Sequence, residues 1–141
     1  MEPRTLKVVL PLPSKPLQPN WRGHWAVKSK AVKQARFDSL CAAVAAAWDA
    51  TLKKFPPMKS AEVRPTFYFP TKRRRDGSNA NASLKAYEDG LEDAGVIEND
   101  CGFIWHPPKM LHDKENPRVE LLIVEVIEQL RNPEKPRRAK A

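Results

Sequence analysis

Cysteine, histidine and long apolar segments are scarce in this chain of 141 residues. Its two cysteines, Cys41 and Cys101, lie far apart without metal-ligand spacing, which predicts reduced thiols in a cytoplasmic protein. The three histidines, His24, His106 and His112, are scattered, which argues against a zinc site. No apolar run approaches the roughly 18 residues of a membrane span. The first residues show no signal-peptide pattern.

Positive charge, in contrast, is in excess. The chain has 25 lysines and arginines against 17 acidic residues, for a formal net charge of +8. Basic surfaces bind phosphate backbones through counterion release, and the basic residues cluster here, so the charge predicts a nucleic-acid partner. The alternative is that the charge serves solubility alone, in an interaction protein without a nucleic-acid ligand.

Hydrophobic periodicity predicts the α+β class, with one mixed sheet and helices packed on it. The expected order is strand, helix, strand, helix, strand, strand. These elements are Thr5–Leu10, Trp25–Lys54, Ala61–Phe69, about Ala80 or Ala82 to Ala94, a broken strand Gly102–Met110, and Val119–Ile127. We expect the first strand to be buried, and Pro65 to make the second an edge strand. A single domain is expected over residues 1–130, followed by a basic, disordered tail at 131–141.

The proline-rich loop and the long helix that follows it each contain large apolar residues whose role must be assigned. The proline-rich loop PLPSKPLQPNWRGHW is long for a small domain, so it is either functional or disordered. Its tryptophans, Trp21 and Trp25, serve either in that function or as plugs at the edge of the core. In the long helix, large apolar residues recur at three- and four-residue spacing and form one face, which we expect in the core. They are Phe37, Leu40, Cys41, Val44, Trp48 and Leu52.

The residues with chemical potential concentrate in a stretch that runs from an arginine cluster to Asp100. The arginines precede Asp76, and the following predicted helix carries Lys85 and Asp89. Arginine binds phosphate and carboxylate binds Mg²⁺. If the strands that flank this helix are neighbours, Asp76 and Asp100 lie at one end of the sheet. They could then share a Mg²⁺ ion that activates water for phosphodiester cleavage, while Lys85 neutralises charge on the phosphate.

The run RRRD…N…SLK…DGLEDAGV…ND resembles the signature of the RusA family of Holliday-junction resolvases, small endonucleases often carried by prophages. That signature is R-D-x-D-N, a lysine on a helix, D-A/G-L-x-x-A-G, and a closing D-D pair. The opening LPLPSKPLQPNWRGHW is similar to the family's proline-rich opening. The resemblance covers roughly residues 6–126.

The resemblance implies a RusA-like fold, a homodimer and Mg²⁺-dependent cleavage, with Mn²⁺ as a substitute. The implied reaction is resolution of four-way DNA junctions by paired symmetrical nicks, in DNA recombination and repair. The implied location is the cytoplasm of a bacterial or phage-infected cell.

Carried over residue by residue, Asp76 matches the first acid of the signature and Asn79 its asparagine. Lys85 matches the helix lysine, Asp89 the acid of the D-G-L segment, and Asp100 the second acid of the closing pair. The resemblance thus implies Asp76, Lys85 and Asp100 as catalytic residues, with Asp76 and Asp100 as metal ligands.

Two positions depart from the signature. Ser78, or Asn81 with a different gap, stands where the family has its second acid, and Asn99 replaces the first acid of the closing pair. These neutral side chains bring no charge, so metal affinity should be lower. Weaker candidate ligands are Asp89, Ser78, Asn79 and Asn81. The alternative function is therefore a catalytically weak or inactive junction-binding protein of the same fold.

Backbone contacts to DNA are expected from the basic residues of this stretch and its neighbours. These candidates are Lys72, Arg73, Arg74, Arg75, Lys85, Lys109 and Arg22. One aromatic residue among Phe67, Tyr68 and Phe69 is a candidate for stacking on an opened base at the branch point.

Overall fold

A computed structural model describes residues 3–51 and 56–127, without the side chains of residues 49–51. Its strands are β1 (Thr5–Leu10), β2 (Ala61–Phe69), β3 (Phe103–Trp105), β4 (Lys109–His112) and β5 (Arg118–Glu125). Its α-helices are α1 (Trp25–Thr51), α2 (Gly77–Ala82) and α3 (Lys85–Asp93). Short 3₁₀ turns lie at Lys15–Leu17 and Asp100–Gly102. Residues 52–54 of the predicted first helix and the predicted tail at 131–141 lie outside the described residues.

The five strands form one mixed sheet with β5 and β2 at its centre. β5 pairs antiparallel with β1 on one side and with β2 on the other. β2 pairs in parallel with β3 along its first half and with β4 along its second half. The predicted α+β class is confirmed. β1 is an edge strand that alternates exposed and buried residues, so the expected burial holds for one of its faces only.

The prediction that Pro65 marks an edge strand is wrong, because β2 lies inside the sheet. Val63 O and Phe69 O accept hydrogen bonds from His106 N and Asp113 N, on the side of β3 and β4. Backbone groups two residues apart face the same neighbour, so the nitrogen of Pro65 faces this side as well. It falls between the two short strands, at residues 106–108, where β2 has no ladder partner. The missing N–H therefore costs no hydrogen bond of the sheet.

The helices cover one face of the sheet. Side chains alternate along a strand, and the covered face buries Leu6, Val8, Phe67 and Leu121 almost completely. On the opposite face Leu122 is exposed. The core therefore lies in a single layer between the sheet and the helices.

The large apolar residues of α1 do not lie in this core, and the prediction that they do is wrong. Phe37 is 59% exposed, Val44 51% and Trp48 60%. Cys41, on the same face, is exposed as well. Leu40 is only half-buried, and Leu52 lies outside the described residues.

The buried face of α1 consists of small residues instead. Ala35, Ser39, Ala43 and Ala47 are buried and recur every fourth residue. Small side chains on a helix permit close approach of neighbouring backbones. α1 therefore packs tightly through its small residues and exposes its large ones.

Gly90 of α3 makes the contact with α1 possible. A Cβ atom at Gly90 would lie 2.4 Å from Arg36 O and 2.6 Å from Ser39 Cβ. Next to it, the buried Ser39 Oγ donates a hydrogen bond to Tyr87 O at 2.7 Å. At the edge of the contact Arg36 Nη2 donates to Asp93 Oδ1 at 2.8 Å. The two helices are thus joined by a close backbone crossing with polar bonds beside it.

Replacing Gly90 by alanine is expected to lower the free energy of unfolding by about 1–3 kcal/mol, because α1 and α3 must move apart. Denaturant unfolding of wild type and variant measures the change. Gly77→Ala is the matched control, since its Cβ would meet only the flexible Met110 Cε at 3.2 Å and the Pro108 ring at 3.6 Å. Equal stability of Gly90→Ala and wild type would contradict this packing.

The predicted helix up to Ala94 is two helices rather than one. Asp76 caps α2: its Oδ1 accepts from Ser78 N at 2.8 Å and from Asn79 N at 3.4 Å. α3 begins after Leu84 without a side-chain cap. It ends before Gly95, whose φ of +78° is the left-handed conformation that glycine adopts at this position.

Candidate metal and nucleic-acid site

The basic loop that follows β2 contains two kinds of arginine. Arg73 and Arg74 are exposed. Arg75 instead braces the loop: Nη1 donates to Thr71 O at 3.2 Å, and its guanidinium lies 3.9 Å from the centre of the Phe69 ring. Burial, reinforced by the neighbouring Arg73, lowers the pKa of Arg75. Arg75 is therefore committed to structure, which weakens its prediction as a DNA contact.

The other predicted DNA contacts differ in availability. Lys72, Lys109 and Arg22 are exposed, and no ion pair to them occurs among residues 3–51 and 56–127. Lys85, in contrast, is bound to carboxylates. These positions stay candidates, but Lys85 belongs to a different kind of site.

Three carboxylates converge on the ammonium group of Lys85. Its Nζ lies 2.8 Å from Glu88 Oε2, 3.2 Å from Asp89 Oδ1 and 3.0 Å from Asp100 Oδ2. One oxygen from each of the three acids lies within 4.8 Å of the others. Glu88 and Asp89 follow Lys85 by three and four residues on α3, which places them on one helix face. Asp100 comes from the 3₁₀ turn before β3.

Contact between Lys85 and Asp100 favours the charged form of both groups. Hydrogen bonding to Lys85 and its charge lower the pKa of Asp100. Hydrogen bonds to the carboxylates raise the pKa of Lys85, and the bond to Glu88 has the largest effect. Trp105 Nε1 donates to Glu88 Oε1 at 2.7 Å and fixes the orientation of that acid. The three half-buried acids thus form a preorganised set of oxygen atoms around the exposed lysine.

Asp76 does not belong to this cluster, and the prediction that Asp76 and Asp100 share one end of the sheet is wrong. The parallel pairing sets Phe103 opposite Ala61, so Asp100 lies near the start of β2. Asp76 follows the end of β2, and the adjacent Gly77 lies beside Met110 of β4. α2 then runs back along the sheet edge, since Asn81 Nδ2 donates to His106 O at 3.0 Å. Asp76 and Asp100 therefore lie at opposite ends of this edge.

None of the neutral polar residues of the signature belongs to the three-carboxylate cluster found among the described residues. Ser78 is exposed at the start of α2, and Asn79 lines a cleft beside the arginines. Asn81 bonds to the backbone of His106, and its buried Oδ1 has no hydrogen-bond partner in the described part of the chain. Asn99 accepts a hydrogen bond from Cys101 N and so caps the 3₁₀ turn.

The sequence reasoning missed Glu88. Its three-residue spacing from Lys85 was visible, and this spacing places two side chains on one helix face. Lys85, Asp89 and Asp100 were predicted as site residues, and the structure brings these three together.

The aromatic candidates for base stacking are occupied by protein contacts. Phe67 is buried and stacks on Phe69, with 5.5 Å between ring centres. Arg75 covers Phe69, and the guanidinium of Arg118 lies 3.8 Å from the ring centre of Tyr68. A base could therefore meet the edge of Phe69 but not an open ring face.

Comparison with known proteins assigns no family to the chain. No protein-family model matches it. An uncharacterized protein of Xylella fastidiosa is 41% identical over 100 residues, which are 71% of this chain and 63% of that protein. A structure of cyanuric acid hydrolase is similar over 90% of this chain and 38% of its own, with a TM-score of 0.39 and 12% identity. At that TM-score the likeness supports no conclusion. In the described residues, no helix is long and apolar enough to cross a membrane.

Proposed function

We propose that the protein is a Mg²⁺-dependent endonuclease that cuts branched DNA as a homodimer, with a RusA-like fold. The convergence of Glu88, Asp89 and Asp100 on Lys85 is the observation that carries this proposal. Three ionised oxygens within reach of one point match the ligands that Mg²⁺ prefers. Their proximity to a lysine provides both a cation site and a group that can stabilise a phosphate.

The three carboxylates are the residues that would hold the metal. Lys85 Nζ now occupies the point at which they converge, and its side chain is 61% exposed, so it can swing aside when a divalent cation binds. A bound Mg²⁺ ion would supply an activated water and charge stabilisation for phosphodiester cleavage. Trp105, through its bond to Glu88, would keep one ligand in place.

DNA as the substrate is supported by the distribution of charge. The net charge is +8, yet the candidate metal site is acidic, so the positive charge lies elsewhere on the surface. Arg73 and Arg74 project from the loop after β2 with no carboxylate paired to them in the described ranges. Such cations bind phosphate backbones without reading sequence.

A homodimer is supported by the apolar face of α1. Phe37, Val44 and Trp48 are each more than half exposed and, with Cys41, follow one line along the helix. Two aromatic side chains at this exposure leave roughly 200–300 Å² open. A second copy, related by a two-fold axis, brings an identical line of matching length.

Loss of the Lys85 charge is expected to tighten divalent binding while it impairs cleavage. In Lys85→Met the three carboxylates repel one another without a counterion, so the affinity for Mn²⁺ should rise about tenfold. Calorimetric titration measures it. Lys109→Met is the control, because this exposed lysine has no carboxylate partner within the described chain. An unchanged affinity in Lys85→Met would mean that the metal does not bind among these acids.

A catalytically inactive junction-binding protein is the second candidate. It is favoured by the position of Asp76, which lies away from the three carboxylates, and by the neutral Ser78 and Asn99. In this case Lys85 would serve as a permanent counterion to the acids. The exposed cations, among them Arg73 and Arg74, would then account for the DNA affinity.

A gel assay on a labelled four-way junction, beside linear duplex, tests the proposal. We expect symmetrical nicks with Mg²⁺ and none with EDTA. A shifted band without nicks, with either Mg²⁺ or Mn²⁺, would support the second candidate instead. The absence of a shift at low salt would refute both functions.

A further inference from the structure

A cleft of about 490 Å³ opens between the proline-rich loop and the basic loop that follows β2. One wall is apolar and includes Leu12, Pro13 and the Phe69 ring. Gln18 and Asn20 contribute carboxamide groups from the proline-rich loop. The volume lies within the range typical of small-ligand sites, which combine apolar walls with a few polar groups.

The cations beside this cleft differ from the ion-paired arginines elsewhere in the fold. Lys15, Arg73 and Arg74 line it, and none of them has a carboxylate partner within residues 3–51 and 56–127. By comparison Arg36 and Arg118 form ion pairs with Asp93 and Asp113. The one acid of the cleft, Asp76, accepts two backbone hydrogen bonds of α2. The cleft therefore has a net positive lining.

Its polar groups are also uncommitted. The side-chain amides of Gln18, Asn20 and Asn79 make no hydrogen bond in the described part of the chain. A carboxamide both donates and accepts, which suits the edge of a nucleobase. The cations of the cleft suit the phosphate of a nucleotide. The free amides suit the edge of its base, and the apolar wall suits the flat face of that base.

We propose that this cleft binds one unpaired nucleotide of a DNA strand, with its phosphate on the rim cations and its base against the apolar wall. The source of the nucleotide, the branch point of a junction, rests on the proposed function. The cleft chemistry itself does not. In this proposal the proline-rich loop binds the nucleotide. The carboxylate cluster gives that loop no function.

Binding of a fluorescein-labelled oligothymidylate, measured by anisotropy, tests the cleft without any junction. Asn20→Trp should fill the cleft from an exposed loop position and weaken binding about tenfold or more, since the base then loses its contact with the apolar wall. Arg73→Ala should weaken binding about as much. Lys7→Ala removes the same charge from β1, where Lys7 pairs with Glu120, and should change binding less than twofold.

Equal affinities for wild type and Asn20→Trp would overturn the inference, as would equal losses in Arg73→Ala and Lys7→Ala. Circular dichroism verifies that each variant is folded. Free thymidine monophosphate serves as competitor. Displacement of the oligonucleotide at micromolar concentration would mean that the cleft is a site for free nucleotides, and would overturn the assignment to a strand.

A four-way junction with 2-aminopurine at the branch point extends the test to the proposed substrate. Fluorescence should rise when wild type binds in Ca²⁺, and should not rise with Asn20→Trp or with the label inside an arm. Junction binding without a rise would refute the nucleotide site and leave the proposed function intact. Oligothymidylate binding that depends on Asn20, without junction binding, would refute the function and retain the site.

Discussion

Asp100→Asn will reduce metal-dependent nicking of a four-way junction at least about a thousandfold and leave junction binding within about twofold. Asp100 contributes an oxygen to the carboxylate cluster from a turn outside α3, so its loss would leave the proposed metal with ligands from one helix only. Removal of a ligand forfeits several kcal/mol of charge stabilisation in the transition state. Binding should persist, because the exposed cations lie on another part of the fold. Single-turnover cleavage and gel shifts measure the two effects separately.

Glu98→Gln is the matched control for this variant. It removes the same charge two residues earlier, from an exposed side chain outside the cluster. We expect its nicking rate to stay within about threefold of wild type. Comparable nicking by Asp100→Asn and wild type would refute the metal site at Asp100. If both variants lost nicking equally, the negative charge of the segment would be what matters, and Asp100 would have no specific role as a ligand.

Strand positions followed closely from the sequence because alternation and turn residues are local signals. β1 and β2 have the bounds that were predicted, and the strand predicted to be broken at Gly102–Met110 is divided into β3 and β4, with Pro107 and Pro108 between them. Proline itself was less informative. Pro65 was assigned to an edge because proline lacks an N–H, but the gap between two short neighbouring strands accommodates it inside the sheet. That gap belongs to the tertiary pairing and leaves no local signal.

The site was predicted in part. Lys85 and Asp89 are related by helical spacing, and Asp100 joins them because the chain turns back to β3. The pairing of Asp76 with Asp100 assumed that neighbouring strands bring the flanking residues to one end. Parallel strands do the reverse: the residue after one strand and the residue before the next lie at opposite ends. Strand direction was the missing information.

The apolar face of α1 shows another limit of periodicity. Large residues at three- and four-residue spacing have the same pattern whether they face a core or a partner. In this helix the residues that face the core are Ala35, Ala43 and Ala47. The helix also crosses α3 closely at Gly90, beside Arg36 and Ser39. The spacing correctly predicted that the large residues share one face of α1. The prediction that this face lies in the core was wrong.

Trp48→Glu is therefore expected to convert the proposed dimer to a monomer. Trp48 is 60% exposed, which leaves about 100–150 Å² for burial in each copy of the proposed interface. At about 25 cal/mol per Å², the two copies lose roughly 5–7 kcal/mol of apolar burial, of which only part reaches affinity. Adding two carboxylates to that contact increases the loss. The dimer dissociation constant should rise at least about a thousandfold, equivalent to about 4 kcal/mol.

Trp25→Glu is the control that distinguishes loss of the proposed interface from a general effect of replacing an exposed tryptophan by glutamate. Trp25 is 75% exposed on the same helix, but at 100° per residue it lies well away from the line of Phe37, Val44 and Trp48. The charge change is identical, so sedimentation over a range of concentrations should report a dimer for Trp25→Glu and a monomer for Trp48→Glu. A monomeric wild type, or a dimer that tolerates Trp48→Glu, would exclude α1 as the interface. Because paired symmetrical nicks require two active sites related by a two-fold axis, the monomeric variant should also nick one strand at a time.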